Sequence, residues 1–187
     1  MSREVHVRFC ESPRVKFPRA THLVVMAHNQ SPKLIAFIES KLEGWMGLKL
    51  NREKTRIVKL TERGTSLDFL GYTFRQARNW RTGNRVYWEA APSRKALGRE
   101  REKLRQMTGT GEGYKPVPVL IAEMNRHLRG WSNYFSFGYP KGAYREINWY
   151  VQTRLYLHLR RRSQRPYRVP EVSTLYQHLR KMGLVYL

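Results

Sequence analysis

The chain has 187 residues, and 36 Lys and Arg against 14 Asp and Glu give it a formal net charge of +22. Apolar residues make up 41% of it and aromatics 12%, too much for a basic tail that never folds, so a core with the excess charge on its outside is expected. One cysteine, Cys10, excludes an internal disulfide framework and any cysteine-based zinc finger. No run approaches the roughly 18 apolar residues of a membrane span, and Met1 to Val7 lacks the apolar stretch of a secretory signal. A cytoplasmic protein with a polyanionic partner, and no membrane association, is the expectation.

Residues 1–93 hold 17 basic and 8 acidic side chains and residues 94–187 hold 19 and 6, so both halves are basic and the second more so. Ala91-Pro92-Ser93 reads as the joint between them. In the first half, Val5 and Val7 alternate with polar neighbours, but Pro13 and Pro18 speak against a strand, so 1–18 is expected to be irregular. Leu23-Val24-Val25-Met26-Ala27 has the continuous apolar character of a buried strand. Ser31-Pro32 supplies a helix cap and an N1 proline, Leu34, Ile35, Ile38 and Leu42 follow at helical spacing, and Gly44 and Gly47 close the helix. Leu48 to Asn51, Arg56 to Leu60 and Ser66 to Leu70 read as short extended pieces. Two further strands, about 72–80 and 85–90, flank a Thr82-Gly83-Asn84 hairpin signal.

The second half changes period. Ser93 caps a predicted helix to about Met107, and Thr108 to Lys115 is a glycine-rich loop. A second helix starts near Pro118 with Leu120, Ile121, Met124, Leu128, Trp131 and Phe135 on one face; Gly130 within it reads as a bend or a close contact. After the break at Gly138 and Pro140, a helix from about Gly142 to Arg162 carries Tyr144, Ile147, Val151, Leu155 and Leu159 as its apolar stripe, and Ser173 caps a short last helix ended by Gly183. The fold class is therefore α+β: short strands, a hairpin and one helix, followed by an all-helical bundle.

Self-sufficient catalysis finds little support. Metal-assisted nucleotide transfer needs clustered carboxylates, and Asp68 is the single aspartate. His6, His22, His28, His127, His158 and His178 lack the HxH or HxxxH spacing of ligands and read as surface or stacking residues; no catalytic residue and no metal ligand is assigned. A nucleic-acid surface is better supported. Arg160, Arg161, Arg162, Arg165 and Arg168 form a dense block at a helix end, more cations than a helix dipole calls for, with Tyr167 inside it as a stacking candidate. The helix after Ser93 carries a second stripe including Lys95 and Arg99, which Glu100 and Glu102 partly neutralise by neighbouring-turn pairs. On the Pro118 helix, Arg126, His127, Arg129 and Asn133 line the polar side, and Tyr134 reads equally as core or surface.

Three stretches in series carry a family resemblance. Gly47 to Thr55 and Phe69 to Phe74 resemble the last two blocks of a group II intron reverse-transcriptase palm. Asn125 to Phe135, with Ala143 to Arg168, resembles the maturase-specific (X/thumb) domain that follows the palm, so the likeness covers about 23–187. It implies an irregular non-family segment at 1–22, a partial palm over 23–91 and a helical thumb over 92–187. It also implies a structured group II intron RNA, or an RNA/DNA duplex, as partner, gripped by Arg126, Arg129 and the arginines of 160–168. Phe69, Leu70 and Gly71 match the primer-grip hairpin, and Lys54 matches a lysine that assists pyrophosphate departure. The family's activity is RNA-directed DNA polymerisation, with magnesium held by a Tyr-Ala-Asp-Asp signature; here Arg19-Ala20-Thr21-His22 stands in its place. The expectation is thus an RNA-binding remnant of a truncated maturase, with no cofactor and no autonomous polymerase activity. The alternatives are a fragment active only when another polypeptide supplies the fingers and metal carboxylates, or a product without function.

Overall fold

A computed structural model describes residues 4–11, 21–27, 31–53, 55–62, 64–78, 85–165 and 167–187. Strands β1 (Glu4–Glu11), β2 (Thr21–Ala27), β3 (Lys49–Leu50) and β4 (Arg56–Val58) form one antiparallel sheet. In it β1 pairs with β2 from Glu4↔Ala27 to Cys10↔Thr21 and with β3 and β4 along its other edge. The irregular chain expected at the start is therefore corrected: Glu4–Glu11 is strand. The prolines that argued against it, Pro13 and Pro18, lie beyond its end, and β2 supplies its hydrogen-bonding partner over seven residue pairs.

Helix α1 (Pro32–Glu39) starts where expected, the Ser31 hydroxyl accepting from the Leu34 N–H at 3.2 Å, and winds on as π-helix over Ser40–Trp45. Strands β5 (Ser66–Phe69), β6 (Tyr72–Arg78) and β7 (Val86–Pro92) make a three-stranded antiparallel sheet in that order. The Thr82-Gly83-Asn84 hairpin signal lies outside the described residues. Helices α2 (Arg94–Met107), α3 (Val117–Tyr134), α4 (Lys141–Arg161) and α5 (Leu175–Lys181) follow, with a 3-10 turn at Thr110–Glu112. Ser93 caps α2 by accepting from Ala96 N–H. The last helix is capped one residue later than expected: Thr174 Oγ1 accepts from Gln177 N–H while the Gln177 side chain accepts from Thr174 N–H, a reciprocal box that Ser173 has no glutamine to complete.

The chain divides into two compact units, one of Met1–Leu67 with Phe74–Trp88, the other of Asp68–Thr73 with Glu89–Leu187. In the first, Ile38 and Leu42 are buried with Val25, Leu34, Leu48 and Leu50 packed against them. The second has a continuous core: Leu97 and Leu104 from α2, Leu120, Ile121, Met124 and Leu128 from α3, Ile147, Val151, Leu155 and Leu159 from α4, and Leu179 and Leu184 from the C-terminal segment. These are the apolar stripes the helical period selects. Two asparagines pin the tail to the bundle. Asn125 donates to Gly183 C=O and accepts from Val185 N–H, and Asn148 does the same with Leu187.

The helical unit reaches back past Ala91-Pro92-Ser93 to include the tip of the β5–β6 hairpin. Tyr72 Oη donates to Tyr134 C=O at 2.6 Å, Tyr134 Oη donates to Leu70 C=O at 2.8 Å, and Ser93 N–H donates to Gly71 C=O at 2.7 Å. Leu70 and Gly71 both sit at positive φ, 49° and 83°, as a tight two-residue hairpin requires. A Cβ on Gly71 would stand 3.2 Å from the Phe135 ring.

Candidate nucleic-acid interface

The helical unit holds many more Lys and Arg than acids, and most of its glutamates are engaged locally. Glu146 pairs with Arg101 at 2.6 Å, Glu102 approaches Arg105 at 3.9 Å, and Glu112 and Glu123 both hold Lys115, at 2.7 and 2.9 Å. Those two acids keep the Lys115 ammonium well above its usual pKa. Glu100 is 4% exposed and meets His127 Nε2 across α2 and α3 at 2.9 Å. This overturns the expectation that it neutralises neighbouring cations on its own helix: it is buried and its charged partner is His127 of α3.

Lys95, Arg99, Arg126, Arg129, Arg160, Arg161, Arg162, Arg165 and Arg168 are all exposed, and among the described residues none makes an ion pair. They fall into two groups. Lys95 and Arg99 lie one turn apart on α2, and the Glu100–His127 pair ties that helix to the stretch of α3 bearing Arg126 and Arg129. The 160–168 block belongs to the other end of α2. There α4 meets Thr108, about 20 Å along the helix axis from Lys95 at 1.5 Å per residue.

Thr108 explains what part of that block does structurally. It is fully buried at the end of α2, and three α4 side chains converge on its neighbourhood. Arg154 Nε donates to Thr108 Oγ1 at 3.0 Å, Arg161 donates to Thr108 C=O at 3.2 Å and to Leu157 C=O at 3.0 Å, and His158 Nδ1 lies 3.4 Å from the same Thr108 carbonyl. Guanidinium groups here satisfy the end carbonyls that α2 leaves unpaired and face the negative end of its dipole. His158 is corrected from a surface residue to a buried one: it is 3% exposed, its Nε2 is buried without a partner, and burial lowers its pKa below the usual histidine value. Arg160 stands over the Tyr156 ring at 5.7 Å, while Arg162, Arg165 and Arg168 extend into solvent beyond the helix.

Tyr167 does not offer the stacking face expected of it. Its ring packs onto the core with Tyr156 and His178 at centroid distances of 6.4 and 5.9 Å, and its buried hydroxyl has a raised pKa through loss of solvent. Tyr134 is exposed, Trp131 half-buried and Phe135 buried. Among the primer-grip-like residues, Leu70 is exposed at the hairpin tip, and Phe69 and Gly71 are half-buried. Asp68, the single aspartate, accepts from the Thr73 hydroxyl across the same hairpin, a strut between strands. Lys54 lies outside the described residues. Among the described residues no three His, Cys, Asp or Glu side chains gather as a metal site, and no helix is long and apolar enough to cross a membrane.

Sequence reasoning passed over Trp149, which stands 67% exposed on α4. The signal was available: it falls on the side of α4 opposite the apolar stripe, where an indole has no packing role.

Residues 97–181 match the model of a family described as group II intron, maturase-specific domain. The match lies wholly within the helical unit, from Leu97 in α2 to Lys181 at the end of α5, and supports the likeness to group II intron maturases over that span. Comparison with curated proteins returns no match.

Proposed function

We propose that the chain binds group II intron RNA through the cationic surface of its helical unit, and that it does so without polymerase activity of its own. One observation carries the reading: within the stretch that matches a maturase-specific domain, the carboxylates that form ion pairs hold Arg101, Arg105, Lys115 and His127, leaving the exposed arginines of α3 and of the α4 terminus uncompensated. Phosphate contacts by those cations supply affinity, and arginine forks give orientation on the backbone. The β5–β6 hairpin, bound to the end of α3 through Tyr72 and Tyr134, acts in this reading as the part of a palm that buttresses the thumb.

Filter binding of a structured intron RNA across ionic strength tests the proposal. Contacts to about 6–10 phosphates predict a loss of some 10³–10⁵ in affinity between low and moderate salt; a flat response defeats it. Primer extension by the purified chain with magnesium is expected to yield no product, and templated DNA synthesis would overturn the non-catalytic part.

A further inference from the structure

The outward side of α4 carries a stripe that shares only Arg160 with the cation clusters. Lys141, Arg145, Trp149, Gln152, Tyr156 and Arg160 recur every three or four residues, so they share one face. The buried stripe of Ile147, Val151 and Leu155 occupies the opposite one. Lys141, Arg145 and Arg160 are exposed and have no carboxylate partner among the described residues, because Glu146 beside them is held by Arg101. The two rings differ. Tyr156 already carries Arg160 over its face and Tyr167 at its edge, whereas the Trp149 indole has no ring or cation partner among the described residues. An indole at the solvent pole of an otherwise amphipathic helix adds nothing to the core, and one turn from it, about 6 Å along the axis, Arg145 presents a guanidinium.

We propose that this stripe is a platform for unpaired nucleotides: Trp149 stacks on one exposed RNA base, and Arg145 and Arg160 take flanking phosphates. The proposal rests on the RNA-binding reading above and refines its ligand to single-stranded segments, loops or bulges. A tryptophan face is used up only by a base that has left its helical stack; a continuous duplex presents phosphates and grooves but no free base face. Three cations without an acid among them suit a polyanion, and the ring selects one that carries bases.

Fluorescence anisotropy with a short oligoadenylate, a fully paired RNA duplex of equal phosphate number and polyglutamate, each labelled, tests it on the full chain. Trp149→Ala should weaken oligoadenylate binding about 5- to 100-fold, leave duplex binding within about twofold, and keep the melting temperature of an exposed-site variant. Trp149→Phe should recover much of the loss. Arg145→Ala should instead lower the salt slope for the single strand by about 0.7, which Trp149→Ala should not. Unchanged oligoadenylate binding by Trp149→Ala overturns the platform alone, as does equal weakening of single strand and duplex. Trp149-dependent binding of polyglutamate would make the stripe a docking face for an acidic protein and overturn it too. Failure of the unaltered chain to bind either RNA defeats the RNA-binding reading itself, and the platform with it.

Discussion

The two units bury their apolar side chains very differently. The helical unit gathers residues from α2, α3, α4 and the C-terminal segment into one cluster in which Leu104, Leu120, Met124, Leu128, Ile147 and Leu155 are completely enclosed. The strand-rich unit has a cluster built on Ile38 and Leu42, and the other side of its helix shows Phe37, Trp45 and Met46 to solvent, with Lys41 lying 5.7 and 6.0 Å from the first two rings. A four-stranded sheet with one short helix offers few enclosed positions, whereas helices crossing one another enclose a stripe from each. Among the described residues the larger enclosed core lies where the maturase-specific likeness lies, and the charge proposed to act on RNA is mounted on the helices that build it.

The sharpest way to break this contrast is to cut the chain. A fragment of residues 66–187 should melt in one cooperative transition, since it keeps the whole helical unit. A fragment of residues 92–187 should lose about 3–5 kcal/mol relative to it. The cut removes the Tyr72–Tyr134, Tyr134–Leu70 and Ser93–Gly71 hydrogen bonds, each worth roughly 1 kcal/mol, and the packing of Tyr72 on Phe135 at 5.1 Å. Calorimetry on the two fragments decides: equal melting temperatures would show that the hairpin tip adds nothing to the helical unit.

Within the stable unit, two arginines of one basic block should part company. Arg161→Ala removes donors to the Leu157 and Thr108 carbonyls, so it should cost about 1–3 kcal/mol in denaturant titration as well as RNA affinity. The exposed Arg165 side chain makes no hydrogen bond, ion pair or ring contact among the described residues, so Arg165→Ala should leave stability within about 0.5 kcal/mol and weaken RNA binding with a shallower salt slope. Equal stability losses would mean the Thr108 contacts are idle.

A smaller effect should appear on acidification. His158 is held below the ordinary histidine pKa by burial, with Arg161 and Arg162 adding to the shift against the opposing Thr108 carbonyl and Glu112. The unfolded chain therefore takes up its proton first as pH falls through the usual histidine range near 6.5, and stability drops in that window, by at most about 1.4 kcal/mol per pH unit for one proton. Below the folded-state pKa the loss levels off. His158→Gln should flatten this part of the pH–stability curve; an unchanged curve would place the titration elsewhere.

Local chemistry was legible in the sequence and long-range polar partnership was not. Ser31 and Ser93 cap their helices because the oxygen, its amide target and the apolar period all lie within one turn. The α3 and α4 stripes follow from the same short period. For strand β1, Pro13 and Pro18 outweigh the alternation of Val5 and Val7 in the sequence, and the pairing with β2 that decides it lies ten or more residues away. The site was half readable. The basic residues of α3 and of 160–168 are visible as a charge excess, but nothing local separates Arg161, tied to a carbonyl 53 residues back, from Arg165 in solvent. Glu100 and His158 likewise reach partners 27 and 50 residues away, and nothing local shows that Tyr167 packs against Tyr156 and His178.

Two glycines of the helical unit give the smallest and most diagnostic contrast. A Cβ on Gly138 would lie 2.2 Å from the Ala90 carbonyl oxygen, at a φ of +80°, in the turn where Tyr139 N–H donates to that same oxygen; no side chain fits there. At Gly130, expected to mark a bend or a tight contact, there is no tight contact: α3 continues through it and a Cβ would meet nothing within 4 Å. Gly130→Ala should therefore stabilise the unit by about 1 kcal/mol through helix propensity alone, read as a higher denaturation midpoint. Destabilisation would mean that something presses on this face of α3 after all. If the variant is more stable but binds intron RNA less well, the missing side chain between Arg126, Arg129 and Asn133 serves the bound RNA and not the fold, which would carry the cationic surface of α3 from a charge argument to a contact.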